Sequence, residues 1–235
     1  MADYFVAASG SNTSPYDTWA KAATSLQTAL TAASTDGDRV IIQYDGVPSG
    51  DSAVSTNTTW TFAASIALIA STNSGTATIT PTPMGTENWL GHSTIAYSIT
   101  MGGAYRVFVY GITLRIPATT ARILLLSTDD LSNFFYENCY FWLGTSGVNA
   151  SIQIGGQDKQ GAAYLKNCTL RFGSTSARMT IAGRLVMESC VVSSDGSAPS
   201  TLFYIGSITD PGGSSVYAEG CDFSHLGSGT LFALS

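Results

Sequence analysis

Few side chains in this chain could do chemistry, and several of those that could recur at matched places of a repeated phrase. Cys139, Cys168, Cys190 and Cys221 each stand one position after a turn-permissive residue, namely Asn138, Asn167, Ser189 and Gly220. Cysteines at C-x-x-C spacing, or beside a pair of histidines, would indicate zinc, and neither pattern occurs. Asp130 and Asp158 fall opposite one another when Ile123-Leu124-Leu125-Leu126 is aligned with Ser151-Ile152-Gln153-Ile154. On successive strands of a stack they would stand about 5 Å apart, the spacing of a retaining glycosidase, which makes them the weak catalytic candidates. Tyr140 and Trp142, with Arg171 in the next copy, form the binding candidate, a platform for a sugar ring or a protein interface. His92 and His225 lie far apart, neither sits in a Gly-x-Ser-x-Gly setting, and both read as surface or loop residues. Calcium-binding nonapeptides and clustered Asp ligands are absent, and no glycine pair opens a helix that could cradle phosphate. No cofactor and no metal is expected.

The phrase around the thiols predicts what positions them. Asn133-Phe134-Phe135-Tyr136-Glu137-Asn138-Cys139-Tyr140-Phe141 has counterparts at 163–170, 185–192 and 216–223, and an upstream copy at 107–114 carries Ile112 in place of Cys. Each copy is an alternating run, a turn residue, a compact apolar residue and a second alternating run, which reads as two strands meeting at a corner. A third strand-like run precedes the phrase each time, at 123–126, 151–154, 179–181 and 202–205. The marker positions from Ile112 to Cys221 are 27, 29, 22 and 31 residues apart, a loose period of the kind solenoids show. Alternation then turns Cys139 and Phe141 inward and Tyr140 and Trp142 outward, with Thr169 and Arg171 beside them on the next coil. All four thiols are expected to be buried, reduced and unbridged, because stacked side chains point in parallel and bridge poorly.

These repeats resemble the right-handed parallel β-helix of the pectate-lyase-like superfamily, and the entry segment adds to the likeness. Tyr4-Phe5-Val6-Ala7-Ala8-Ser9-Gly10-Ser11-Asn12, Trp19, the run from Thr24 to Leu30 and Gly37-Asp38-Arg39-Val40-Ile41-Ile42 look like the strand, capping helix and Gly-Asp-x-Val strand that open many phage and bacterial β-helices. The expected fold is therefore all-β, a right-handed parallel β-helix solenoid with an N-terminal capping α-helix, as a single domain over 1–235. Residues 1–43 would form the cap strand and helix, 44–104 irregular early coils with strands at 66–70, 76–80 and 94–100, and 105–235 regular coils. Thr24 and Gln27 have capping-box spacing, and Leu26, Ala29, Leu30 and Ala33 share one helical face that would plug the first coil. The resemblance implies a fold more than an activity, since function resides in sites grafted onto folds.

Charged residues make up 11% of the 235, against about 25% in ordinary domains. A surface so poor in charge suits burial against partners. The ten Lys and Arg are scattered and the net charge is −6, which argues against nucleic acid, and no apolar run is long enough to span a bilayer. The start Met1-Ala2-Asp3-Tyr4 has no signal-peptide character, so the expectation is synthesis in a host cytoplasm and residence in a virion. The leading expectation is a non-enzymatic bacteriophage structural protein, a head decoration, spike or fibre component contacting other virion proteins. The alternative is a tailspike-like module that binds or degrades a surface polysaccharide as a glycoside hydrolase or lyase. The last strand-like run, 229–235, has no cap after it in the sequence, which leads to the expectation of a homotrimer covering that edge.

Overall fold

The computed structural model describes residues 1–44, 58–72, 79–86, 88–91, 99–103, 105–116, 122–126, 132–144, 151–155, 161–195, 198–205, 214–227 and 230–234. Among these the named strands form three sheets, of eight, six and seven strands, and every named strand pair is parallel. From Ile99 onward the chain visits the sheets in strict rotation. Arg178–Ile181 lies in the seven-stranded sheet, Arg184–Glu188 in the eight-stranded one and Val191–Ser194 in the six-stranded one, and Thr201–Ile205 returns to the first. Successive copies of each strand are neighbours, so the order in each sheet runs in steps of one repeat. This all-β arrangement of stacked parallel sheets is consistent with a parallel β-helix. The period-2 alternation sends one set of residues inward: Val107 and Val109, Phe134 and Tyr136, Ala163 and Leu165, Leu185 and Met187 are all buried, in a core that runs from Val6 to Leu226.

The corner between the eight- and six-stranded sheets explains the turn residues of the phrase. Gly111, Asn138, Asn167, Ser189 and Gly220 have φ of 70°, 52°, 51°, 52° and 60°, the left-handed region that Gly and Asn enter at least cost. Their amides point along the stack: Asn138 N donates to Lys166 O at 3.0 Å, Asn167 N to Glu188 O and Ser189 N to Glu219 O, both at 2.9 Å. With Gly111 N donating to Glu137 O at 2.9 Å, the four corner amides from Gly111 to Ser189 each bond to the next coil. At the first corner, Gly111 also lies under Pro83, whose Cα would be 2.8 Å from any Cβ placed there.

At the other end of the core the α-helix Leu26–Ala32 buries Leu26, Ala29 and Leu30, with Ala33 behind them. The capping box expected from Thr24 and Gln27 does not form: the N-cap is Ser25, without a side-chain bond. Gln27 is committed elsewhere, its Oε1 accepting from Thr61 N at 2.9 Å and its Nε2 donating to Thr61 O at 3.3 Å. Strand Thr58–Thr61 is the edge of the seven-stranded sheet, so the Gln27 amide takes the place of a neighbouring strand. Buried Asp38 accounts for the Gly-Asp-x-Val signature. Its carboxylate accepts from Ala2 N at 2.8 Å and Thr35 N at 3.2 Å, joining the first strand, Asp3–Val6, to Arg39–Gln43, and Arg39 grips Asp3 through two 2.6 Å bonds.

Several boundaries move. The early strands are Ala67–Ser71 and Ile99–Gly102, while residues 79–80, the described part of the strand expected at 76–80, are not strand. Pro81 instead bridges Ser71 in antiparallel fashion, which bends this segment back on itself. The alignment that paired Asp130 with Asp158 starts one residue out of register. Ile152 sits beside Ile123, and an irregularity then brings Ile154 beside Leu126, the pair that alignment had placed together. Asp130, Asp158 and His92 lie outside the described residues. The expectation of four buried thiols holds for Cys139, Cys168 and Cys190, while Cys221 is half-buried because the last corner has less covering it; all four are free.

Candidate functional site

Strands Thr113–Ile116, Tyr140–Leu143 and Thr169–Phe172 of the six-stranded sheet pack Leu114, Ile116, Phe141, Leu143, Leu170 and Phe172 inward. Their register sets Arg115, Trp142 and Arg171 side by side in one outward column, with Tyr140 beside Thr169 in the next. The Trp142 Nε1–H donates to Asp195 Oδ2 at 2.7 Å, and the Arg171 guanidinium closes on Oδ1 of the same carboxylate. The Tyr140 hydroxyl, 3.5 Å from Arg171, and Asp195 hold the arginine above its ordinary pKa. Arg115 lies over the other side of the column, its Cζ 4.2 Å from the Trp142 ring centroid and 5.3 Å from that of Trp89. Thr86, Arg115, Tyr140, Trp142, Arg171 and Asp195 line a polar recess of about 230 Å³.

Tyr140, Trp142 and Arg171 do come together, but not as an open stacking plane. Trp142 is half-buried, one face carries Arg115, and its N–H is already bonded to Asp195. Arg115 was readable in the sequence, because Thr113-Leu114-Arg115 aligns with Tyr140-Phe141-Trp142. Asp195 just follows the strand Val191–Ser194, and Trp89 stands outside the repeats, so neither left a periodic signal. Exposed His225 is 3.6 Å from Asp222, whose carboxyl is held below its usual range by hydrogen bonds from Ser224.

A second surface lies on the eight-stranded sheet. Phe108, Phe135, Tyr164, Val186 and Tyr217 stand in register down its outer face. Phe108 is 37%, Phe135 38% and Tyr217 56% exposed, and Phe135 and Tyr164 stack at 4.6 Å and 10°. Phe108, Phe135 and Tyr164 border a shallow recess of about 260 Å³. One flank carries Glu137, Lys166, Glu188 and Glu219; the other carries Arg106 and Arg184. Alternation in the first half of the phrase contains this column, although only the second half had suggested a platform.

The thiols are not poised as nucleophiles. Burial pushes Cys168 up, contact with Cys168 together with burial pushes Cys190 up, and burial raises Cys221. Cys168, Cys190 and Cys221 would remain protonated at neutral pH, and the thiols donate to nearby carbonyls, as Cys168 Sγ does to Lys166 O at 3.3 Å and Tyr136 O at 3.4 Å. Among the described residues no three His, Cys, Asp or Glu side chains gather as metal ligands, and no helix is long and apolar enough to cross a membrane. No protein family, curated protein or solved structure matches the chain.

Proposed function

We propose that this chain is a right-handed parallel β-helix acting as a non-enzymatic structural component of a bacteriophage particle, a decoration, spike or fibre element that works by assembly. The observation that carries the reading is the exposed aromatic column of the eight-stranded sheet. Large aromatic side chains left in register on a flat face, in a chain with few charges, are the composition of an association surface. Its flanks favour copies of the same chain as the partner: three carboxylates and one lysine on one side against two arginines on the other. A parallel homotrimer, with other virion proteins around it, uses that asymmetry. The low charge of the chain supports the same reading. A second reading, a tailspike-like polysaccharide module, draws on the polar recess beside Trp142.

Light scattering on the purified protein at micromolar concentration tests the proposal, together with microscopy of particles carrying a labelled copy. Oligomers that Phe135→Ser dissociates, and label on the particle, are expected. A monomer, or unsaturated or reducing ends released from a polysaccharide panel, would count against it.

A further inference from the structure

We infer that the recess on the six-stranded sheet is an oxyanion site, with Arg115 as its free cation and a carboxylate or sulfate group as its ligand. The argument starts from which charges are already satisfied. Asp195 takes both the Trp142 indole N–H and the Arg171 guanidinium, so the carboxylate and one of the two arginines neutralise each other. Arg115 has no such partner: among the described residues it makes no ion pair, and its Nε–H is buried without an acceptor. Its planar group is fixed beside Trp89 and Trp142, which stabilise the charge through their ring faces but supply no hydrogen-bond acceptor. A guanidinium held in one plane is preorganised for the two-pronged contact an oxyanion makes, and half-burial in a recess strengthens that contact relative to bulk water. Thr86 and Tyr140 line the same recess and bring hydroxyls that can donate to an oxygen not held by the guanidinium. The site lies on a different sheet from the aromatic column, so it stands or falls independently of assembly.

Trp89 and Trp142 report on the recess by fluorescence. Sulfate, acetate and glucuronate are titrated against chloride at constant ionic strength, with glucose as the uncharged control. Saturable change with the oxyanions but not with glucose is expected, at least tenfold weaker in Arg115→Gln and weakened less in Arg115→Lys, which keeps the charge but not the two-pronged contact. Asp195→Asn releases Arg171 and should tighten binding several-fold, an effect that a merely structural arginine stack would not give. Glucuronate binding well above acetate assigns the acid group to a saccharide, whereas sulfate and acetate binding equally well assigns a free ion. No saturable change, or an unchanged curve in Arg115→Gln with its melting curve intact, overturns the site.

Discussion

At the scale of single residues, the stack asks for different things at equivalent positions. Gly111 needs its hydrogen twice, for φ of 70° and for the approach of Pro83, so Gly111→Ala should cost about 1 to 3 kcal/mol in a denaturant melt. Gly220 needs only the backbone region, since its nearest neighbour to an added Cβ is Ser189 Oγ at 3.6 Å. Ser189→Asn, copying the residue at 138 and 167, should stabilise by a few tenths to about 1 kcal/mol, whereas Gly220→Asn has room but gives up glycine's freedom at φ 60° and should gain nothing. A melt showing Ser189→Asn weaker than the parent would remove the corner argument. The thiols obey a similar local logic. Because Cys168 Sγ already donates to two carbonyls, Cys168→Ser keeps an acceptor for its hydroxyl, and the cost should be about 1 kcal/mol. Thiol titration of the native protein should find at most one slowly reacting group, Cys221, and four after unfolding. Rapid native reaction of three or more would contradict burial.

Elements are held by a few contacts that cross between them, and the N-terminal helix shows how. Its apolar face covers the core, but Gln27 is what occupies the edge of strand Thr58–Thr61. Gln27→Ala should therefore cost about 1 to 2 kcal/mol, more than an exposed helix position normally would, and raise hydrogen exchange at Thr61 selectively. Exchange unchanged at Thr61 would show that the helix alone protects the edge. The helix and the three-strand rotation were legible because apolar periodicity and turn residues are local signals. Gln27 misled: Thr24 and Gln27 fit a capping box in spacing, and only a strand about thirty residues away decides between cap and edge. The same limit governed the candidate site. Register follows from alternation, so Trp142 beside Arg171 could be read off, as could the missed Arg115 and Phe135. Asp195 and Trp89 come from outside the repeat, and the carboxylate that neutralises Arg171 therefore left no periodic trace. The Asp130 and Asp158 pairing rested on Leu126 standing beside Ile154, which the irregularity between Gln153 and Ile154 brings about, but both aspartates lie outside the described residues.

At the scale of the whole molecule, the parallel sheets give the outer face a polarity that antiparallel ones would lack. Every strand of the eight-stranded sheet runs the same way, so the start of each lies on one flank and the end on the other. Arg106 and Arg184 stand at strand starts, and Glu137, Glu188 and Glu219 at strand ends, with the aromatic column between them. Copies with their stacking axes aligned, around a twofold or threefold axis parallel to the stack, bring the starting flank of one against the ending flank of the next. A twofold axis along the strands would instead set arginines over arginines and carboxylates over carboxylates. Aligned assembly is therefore favoured by charge, and like-charge contact opposes the alternative. Arg184 and Glu188 share one strand, so in the aligned arrangement each meets the other's counterpart across the interface. Arg184→Glu alone should weaken the oligomer, Glu188→Arg alone should do the same, and the double swap should restore it, with the effect fading as salt is raised. Light scattering at low and high ionic strength reads all four proteins. Rescue in the double variant would fix both the face and the orientation, while single variants that assemble like the parent would place the interface on another surface.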